Sequence, residues 1–259
     1  MKISGNTFIV TGGASGLGEA TVKTLVEQGG NAVILDVNED GAKRLAQELG
    51  ENRVLAAGKV DVTQEDEVAQ ALALAIKQFG RLAGAILCHG ILDASPSITG
   101  YGPGNALTSY DQLKYVSNVN FLGAYNVAQK VADILIKQEH MTDDGERGVI
   151  IMVTSIAGLD GCILAYGTSK AAIAGLVLPF ARELAPYGIR VMGIAPGAFD
   201  TPMTQVLPKE FNAAAVHLQL YPKRIGQAQE FSSLVSLILD NVMLNGSVIR
   251  LDAGTRMFQ

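Results

Sequence analysis

The stretch Thr7-Phe8-Ile9-Val10-Thr11-Gly12-Gly13-Ala14-Ser15-Gly16-Leu17-Gly18 decides how the rest of the chain is read. Five residues rich in β-branched and aromatic side chains come first, and a run of Gly, Ala and Ser follows without a break. An amphipathic stretch then extends over 16–28. Gly12, Gly16 and Gly18 give the spacing GxxxGxG. Without side chains at those points, backbone can approach a phosphate, and the helix start aims free N–H groups and its positive dipole at it. A glycine-rich turn alone is a weak signal, but its place between a first strand and a first helix makes it a strong one.

Working outward, short apolar runs alternate with longer helical patterns. The runs predict strands at Thr7–Thr11, Ala32–Leu35, Arg53–Val60, Ala83–Cys88, Gly148–Thr154, Ile189–Ala195 and Ser247–Leu251. Helices are predicted near 16–28, 38–49, 65–79, 109–139, 166–185 and 227–240. Continuous apolar runs suit strands buried on both faces, and strand–helix alternation predicts a parallel sheet with right-handed crossovers. The expected fold is therefore α/β of the Rossmann doubly wound type: a seven-stranded parallel sheet with helices on both faces. The 259 residues form one expected domain, 1–259, with no linker or repeat. Leu92–Ser109 and His140–Arg147 read as loops, and Thr201–Tyr221 breaks the alternation as either a lid over a site or a surface insertion.

Composition narrows the function. A net charge of −5 offers no basic footprint for nucleic acid. The sequence reading finds no apolar run long enough for a membrane span. The strand pattern starts almost at the N-terminus, leaving no room for a targeting segment, so a cytoplasmic location is expected, with the mitochondrial matrix as the alternative. Cys88 and Cys162 are the two cysteines, too few for a disulfide framework or a Cys-based zinc site; no metal is expected.

Asp36 ends the second strand, 18 residues beyond Gly18. An acidic side chain there suits the adenosine ribose hydroxyls and repels a 2′-phosphate, and the following Val37 and Asn38 bring no compensating cation. NAD is thus expected rather than NADP. The plainer role for Asp36 is to cap the helix that starts near Asn38. Asp61 and Val62 follow the third strand, where an adenine ring could rest, or where Asp61 could serve a turn. Cys88-His89-Gly90 follows the fourth strand, against the expected cleft.

Tyr166 and Lys170, in Tyr-Gly-Thr-Ser-Lys, are four apart and share a helix face. A neighbouring ammonium favours phenolate, so Lys170 is expected to lower the Tyr166 pKa. Ser155 ends the fifth strand, at the sheet edge where ligands bind, and its hydroxyl could hold a substrate carbonyl. A Tyr-x-x-x-Lys pair is common by chance; with Ser155 upstream and the glycine turn at the start, chance explains it poorly.

These stretches resemble the short-chain dehydrogenase/reductase family over essentially the whole chain. Arg147–Gly158 (RGVIIMVTSIAG), Ala181–Met203 (ARELAPYGIRVMGIAPGAFDTPM) and Leu244–Met257 (LNGSVIRLDAGTRM) are most similar to the type 2 3-hydroxyacyl-CoA dehydrogenases, a group that also takes hydroxysteroids. The resemblance implies an NAD-dependent oxidoreductase acting on a small-molecule alcohol or ketone, with acyl-CoA among the candidate substrates. It implies dinucleotide contacts from Gly12, Ser15, Gly16, Leu17 and Gly18, with the ribose on Asp36 and the adenine on Asp61 and Val62. Cys88 and Gly90 would line the cofactor. Pro196, Phe199 and Thr201 would hold the nicotinamide end, and Tyr166 and Lys170 would touch it as well. Asn120 in Asn-Val-Asn-Phe matches the family's catalytic Asn, completing Ser155, Tyr166 and Lys170. A homotetramer, or a dimer, is implied, in keeping with the apolar helix 166–185, which has more greasy surface than one sheet contact can bury.

Two departures stand out. Ser155 and Tyr166 are eleven apart, a shorter loop than is usual in the family, which is expected to reshape the wall over the substrate and to bear on its identity more than on the chemistry. His89 replaces a small residue and either meets the cofactor or points away. A dehydrogenase of another secondary alcohol and an NAD-binding scaffold stay open beside the leading reading.

Overall fold

The computed structural model describes residues 1–92, 107–205 and 209–256, without the side chains of 209–212. The loop predicted at 92–109 lies for the most part outside the described residues.

The apolar runs form seven strands: β1 Thr7–Thr11, β2 Asn31–Asp36, β3 Val54–Lys59, β4 Gly84–Leu87, β5 Gly148–Val153, β6 Ile189–Pro196 and β7 Val248–Leu251. They pair in the order β3-β2-β1-β4-β5-β6-β7, all parallel. The sequence reading places these strands and differs only at their ends. Every residue of β1, β4, β5 and β6 is buried, as continuous apolar runs require when both faces are covered.

Alternate residues feed two cores. Ile9, Val33, Leu87 and Ile150 face one helical layer: α3 (Glu65–Phe79), α5 (Gly123–Ile136) and α7 (Leu164–Leu184). Phe8, Val10, Ile34 and Ile151 face the other: α1 (Gly16–Glu27), α2 (Glu39–Leu49) and α10 (Ala228–Asp240). Successive strands are added to one side of β1 as far as β3 and to its other side from β4 onward, so the sheet order reverses between β1 and β4 and the crevice at the carboxyl ends of these strands is open to a ligand.

The single helix predicted over 109–139 is three pieces: α4 (Tyr110–Ser117), a π-helical turn Asn118–Leu122, and α5. The turn widens at Asn120, whose side chain bonds to neighbouring segments; such bulges often accompany functional sites. The helix predicted at 166–185 starts earlier, at Leu164, which puts Tyr166 in its first turn, and a short helix α6 (Ile156–Asp160) precedes it. Segment 201–221 holds α8 (Pro202–Gln205) and α9 (Lys209–His217), with 206–208 outside the described residues.

Helix α7 and the turn after it, Leu164–Tyr187, are long and apolar enough to cross a membrane by length and composition alone. Here the helix packs on the sheet through Ile173, Val177 and Phe180, while Leu164 and Leu178 stay exposed. Residues 140–147 form no helix or strand, as predicted.

Candidate active site

A cavity of about 440 Å³ opens at the carboxyl ends of the strands. Its walls bring together Gly12, Ser15, Gly16, Leu17, Gly18, Asp36, Asp61, Val62, Cys88, Gly90, Ser155, Tyr166, Lys170, Pro196, Phe199 and Thr201. Asn120 is absent from the wall and lies behind it, fully buried.

At one end the backbone itself is the wall. Gly12 has φ +63, and a Cβ on it would lie 2.9 Å from the His89 backbone. A Cβ on Gly18 would sit on the Gly12 carbonyl oxygen. The glycines are therefore needed first to fold the turn onto itself, which leaves the first N–H groups of α1 bordering the cavity. Asp36 accepts the Ala14 N–H at 3.0 Å on one carboxylate oxygen and the Asn38 N–H at 2.9 Å on the other. The capping of α2 falls to Asn38, which accepts the Gly41 N–H at 3.0 Å, so Asp36 is not the cap. Val37 beyond it is exposed. Lys170 is the sole cation among the described residues lining the cavity, and it stands at the other end, with Ser155 and Tyr166.

Asp61 serves a turn, accepting from the Thr63 N–H at 2.9 Å and hydroxyl at 2.8 Å, and still borders the cavity. His89 turns its Nδ1 to the Thr11 hydroxyl at 2.6 Å. Its Nε2 is shielded from solvent, near the Val119 carbonyl but without a well-formed hydrogen bond. Burial first, and the Lys170 charge second, push the imidazole down to about 3, so it is neutral near pH 7.

The other end is built from side chains. Ser155 leaves β5 in an extended conformation and caps α6, accepting the Ala157 N–H at 3.1 Å. Tyr166 and Lys170 stack one turn apart on α7, with the Lys170 Nζ 5.8 Å from the centre of the Tyr166 ring. Lys170 donates to the Val153 carbonyl at 2.9 Å. Asn120 accepts the Ile91 N–H at 2.7 Å and donates to the Ile91 carbonyl and the Ser169 hydroxyl, both at 3.0 Å. A Cβ on Gly90 would lie 3.2 Å from both the Asn120 amide oxygen and the Lys170 Nζ, so the small residue lets these two groups converge.

The electrostatics differ from the sequence expectation. Tyr166 is pushed up to about 12, chiefly by burial, with the Ser155 hydroxyl beside it pulling the other way. Lys170 is itself driven down to about 8 by burial, which weakens it as a partner for phenolate. Burial raises the thiol of Cys88 to about 12 and that of Cys162 to about 11, so neither is a ready nucleophile. Among the described residues, no three His, Cys, Asp or Glu side chains gather as metal ligands.

Sequence reasoning did not single out Ile91, Tyr115, Val119 or Met203, which complete the wall. Ile91 and Tyr115 belong to no motif, Val119 and Met203 sit in quoted stretches without a role of their own there, and only the fold brings the four together.

The model of the short chain dehydrogenase family matches residues 6–211. Human 3-hydroxyacyl-CoA dehydrogenase type-2 is 43% identical over 258 residues, covering 99% of this chain and 97% of that one. Ipsdienol dehydrogenase of Ips pini is 35% identical, covering 99% of each. The crystal structure of 3-hydroxyacyl-CoA dehydrogenase type-2 from Mycobacterium avium is similar with a TM-score of 0.87 and 36% identity, covering 98% of this chain and 97% of that one.

Proposed function

The chain belongs to the short-chain dehydrogenase family, oxidoreductases that interconvert secondary alcohols and ketones with a nicotinamide dinucleotide, and on that premise we propose that it uses NAD and acts on 3-hydroxyacyl-CoA substrates. One observation carries the cofactor choice: the Asp36 carboxylate is fixed at the nucleotide end by the Ala14 and Asn38 amides, and among the described residues no cation lines the cavity there. A 2′-phosphate would meet a negative charge with nothing to offset it. The glycine turn supports a pyrophosphate: it packs backbone on backbone at Gly12 and Gly18, lines the cavity, and leads into the N-terminus of α1. The substrate class rests on relatives of that name, similar over nearly the full chain.

When bound, the dinucleotide supplies the hydride acceptor. Asp36 holds its ribose hydroxyls, while Phe199 and Thr201 flank the far end of the cavity. Tyr166, as the base, takes the alcohol proton at its phenolic oxygen. Ser155 holds the substrate oxygen and, by its hydrogen bond, favours the phenolate. Lys170 draws the phenolate pKa downward when charged, and Asn120 keeps the Ile91 backbone and Ser169 in place behind it. General base catalysis by such a group is worth about 10²–10⁴ in rate.

Fluorescence titration with NADH and NADPH tests the cofactor, followed by turnover of acetoacetyl-CoA and of a panel of other ketones. NADH binds preferentially, and Asp36→Ala erodes the preference by roughly tenfold or more because it removes like-charge repulsion. Equal binding of the two nucleotides would remove the NAD assignment. Fast turnover of other ketones with none of acetoacetyl-CoA would move the substrate to a free secondary alcohol, as the name ipsdienol dehydrogenase illustrates.

A further inference from the structure

Arg250, on β7, has no site role in the sequence reading and lies outside the cavity wall, yet it makes the densest ionic contact among the described residues. Its guanidinium donates to both carboxylate oxygens of Asp160, at 2.6 and 2.9 Å. It also donates to Asp252 at 2.6 Å and to the Thr255 carbonyl at 2.7 Å. The side chains of Asp160 and Asp252 are only 9% and 6% exposed, so two acidic groups rest on one planar fork. Arg256 reaches Asp252 at a looser 3.4 Å from a half-exposed position.

Each carboxylate anchors a different part of the substrate side. Asp160 ends α6, the helix that Ser155 caps. That helix is pressed onto α7 at the catalytic lysine: a Cβ on Gly158 would lie 2.7 Å from the Lys170 carbonyl carbon. Moving Asp160 therefore moves Ser155 against Tyr166 and Lys170. Asp252 packs against Gly197, which lines the cavity. The next residue, Ala253, accepts the Leu220 N–H at 2.9 Å and the Tyr221 N–H at 3.3 Å, tying down the end of segment 201–221.

Strain points to the same place. Among the described residues, Ile163 (φ +56) and Ala253 (φ +52) are the non-glycine residues with left-handed backbone. One lies three residues past Asp160, the other immediately past Asp252. Such conformations persist where surrounding contacts over-determine them, and they cluster at functional sites.

Resting on the dehydrogenase reading above, we propose that Arg250 is a positioning residue for hydride transfer, setting the Ser155–Tyr166 geometry through Asp160 and coupling it to Leu220 and Tyr221 through Asp252. It touches neither substrate nor cofactor. Its planar fork matches a carboxylate in two bonds, and Lys cannot reproduce this.

Arg250→Lys keeps the charge that the two buried carboxylates need and removes the fork. Asp160→Asn is the milder second variant. In both, kcat falls about tenfold to a hundredfold, the scale of a small misplacement of reacting groups. NADH affinity stays within about twofold, because none of the clamp's bonds reaches the glycine turn or Asp36. The alkaline limb of the kcat profile moves to higher pH as Ser155 withdraws from Tyr166. Amide exchange quickens roughly tenfold in 156–163 and 218–221, and not in 7–18. A folded Arg250→Lys enzyme with normal kcat and an unmoved pH profile would overturn the proposal. So would faster exchange confined to 250–256. If the native protein reduces no ketone at all, the dehydrogenase reading fails, and the exchange pattern still decides whether the clamp couples the two segments.

Discussion

The two ends of the cavity are built on different principles. At the nucleotide end, a dozen consecutive residues run from strand into turn, and the closely packed backbone of Gly12 and Gly18 lines the cavity. At the substrate end, Ser155, Tyr166, Thr201 and Asp252 arrive from separate stretches, held in place by side-chain bonds and one ion cluster. The first is rigid because no atom can be added to it. The second is adjustable, because altering one side chain shifts its wall without unmaking the sheet. A fold that keeps one end constant and varies the other can serve one cofactor with many substrates.

The sharpest way to test that division is to remove chemistry from one end and watch the other. Tyr166→Phe deletes the proton-accepting oxygen and little else. The expected loss in kcat is about 10²–10⁴-fold. NADH affinity, set at the glycine turn, should stay within about twofold. In the native enzyme, alcohol oxidation should quicken as pH rises, because burial holds the Tyr166 proton well above its ordinary value and only the phenolate can act as base. Ketone reduction, which needs the protonated phenol, should show the opposite trend. Comparable loss of nucleotide binding in Tyr166→Phe would mean the ends are not separable.

The reverse experiment is Gly18→Ala. The new methyl would collide with the backbone of Gly12 and Gly13, neither of which can swing aside as a side chain can. The turn must open, costing about 1–3 kcal/mol as backbone strain. NADH affinity should fall by roughly tenfold or more, with Tm lowered as well. If the variant binds NADH normally, the turn is more pliable than its packing implies.

The same division explains what could be read in advance. The seven strands were legible because burial on both faces demands unbroken apolar runs such as Val149-Ile150-Ile151-Met152. The glycine turn, Asp36 and the Tyr166–Lys170 spacing were legible because each is local in sequence. Asn120 was legible only through the family resemblance: its neighbours Ile91 and Ser169 are 29 and 49 residues away, and the helix pattern around it gives no sign of a π turn. Asp160 and Arg250 are 90 residues apart, and an acidic residue before a glycine looks like any helix end. The Tyr166 pKa was misjudged for a related reason. Spacing supplies the neighbouring cation, but only the fold supplies the burial that outweighs it.

His89 is where the nucleotide end departs from its expected small residue, and it yields the mildest prediction. Its ring neither crowds the glycine turn nor carries charge, since Nδ1 is taken up by Thr11 and burial drives the imidazole down to about 3. A depressed pKa has a definite sign for stability. Above the ordinary value of 6.5 the ring is neutral in both folded and unfolded chains, so nothing is lost. As pH falls from 6.5 toward 3, the unfolded chain gains a proton that the folded one refuses, and stability drains away. Between pH 7 and pH 5 the native protein should lose about 1–2 kcal/mol that His89→Ala does not. Urea midpoints of the two proteins at both pH values measure this difference. Parallel curves would mean that the ring finds a way to hold its proton in the fold, and that the nucleotide end tolerates a charge which its packing argues against.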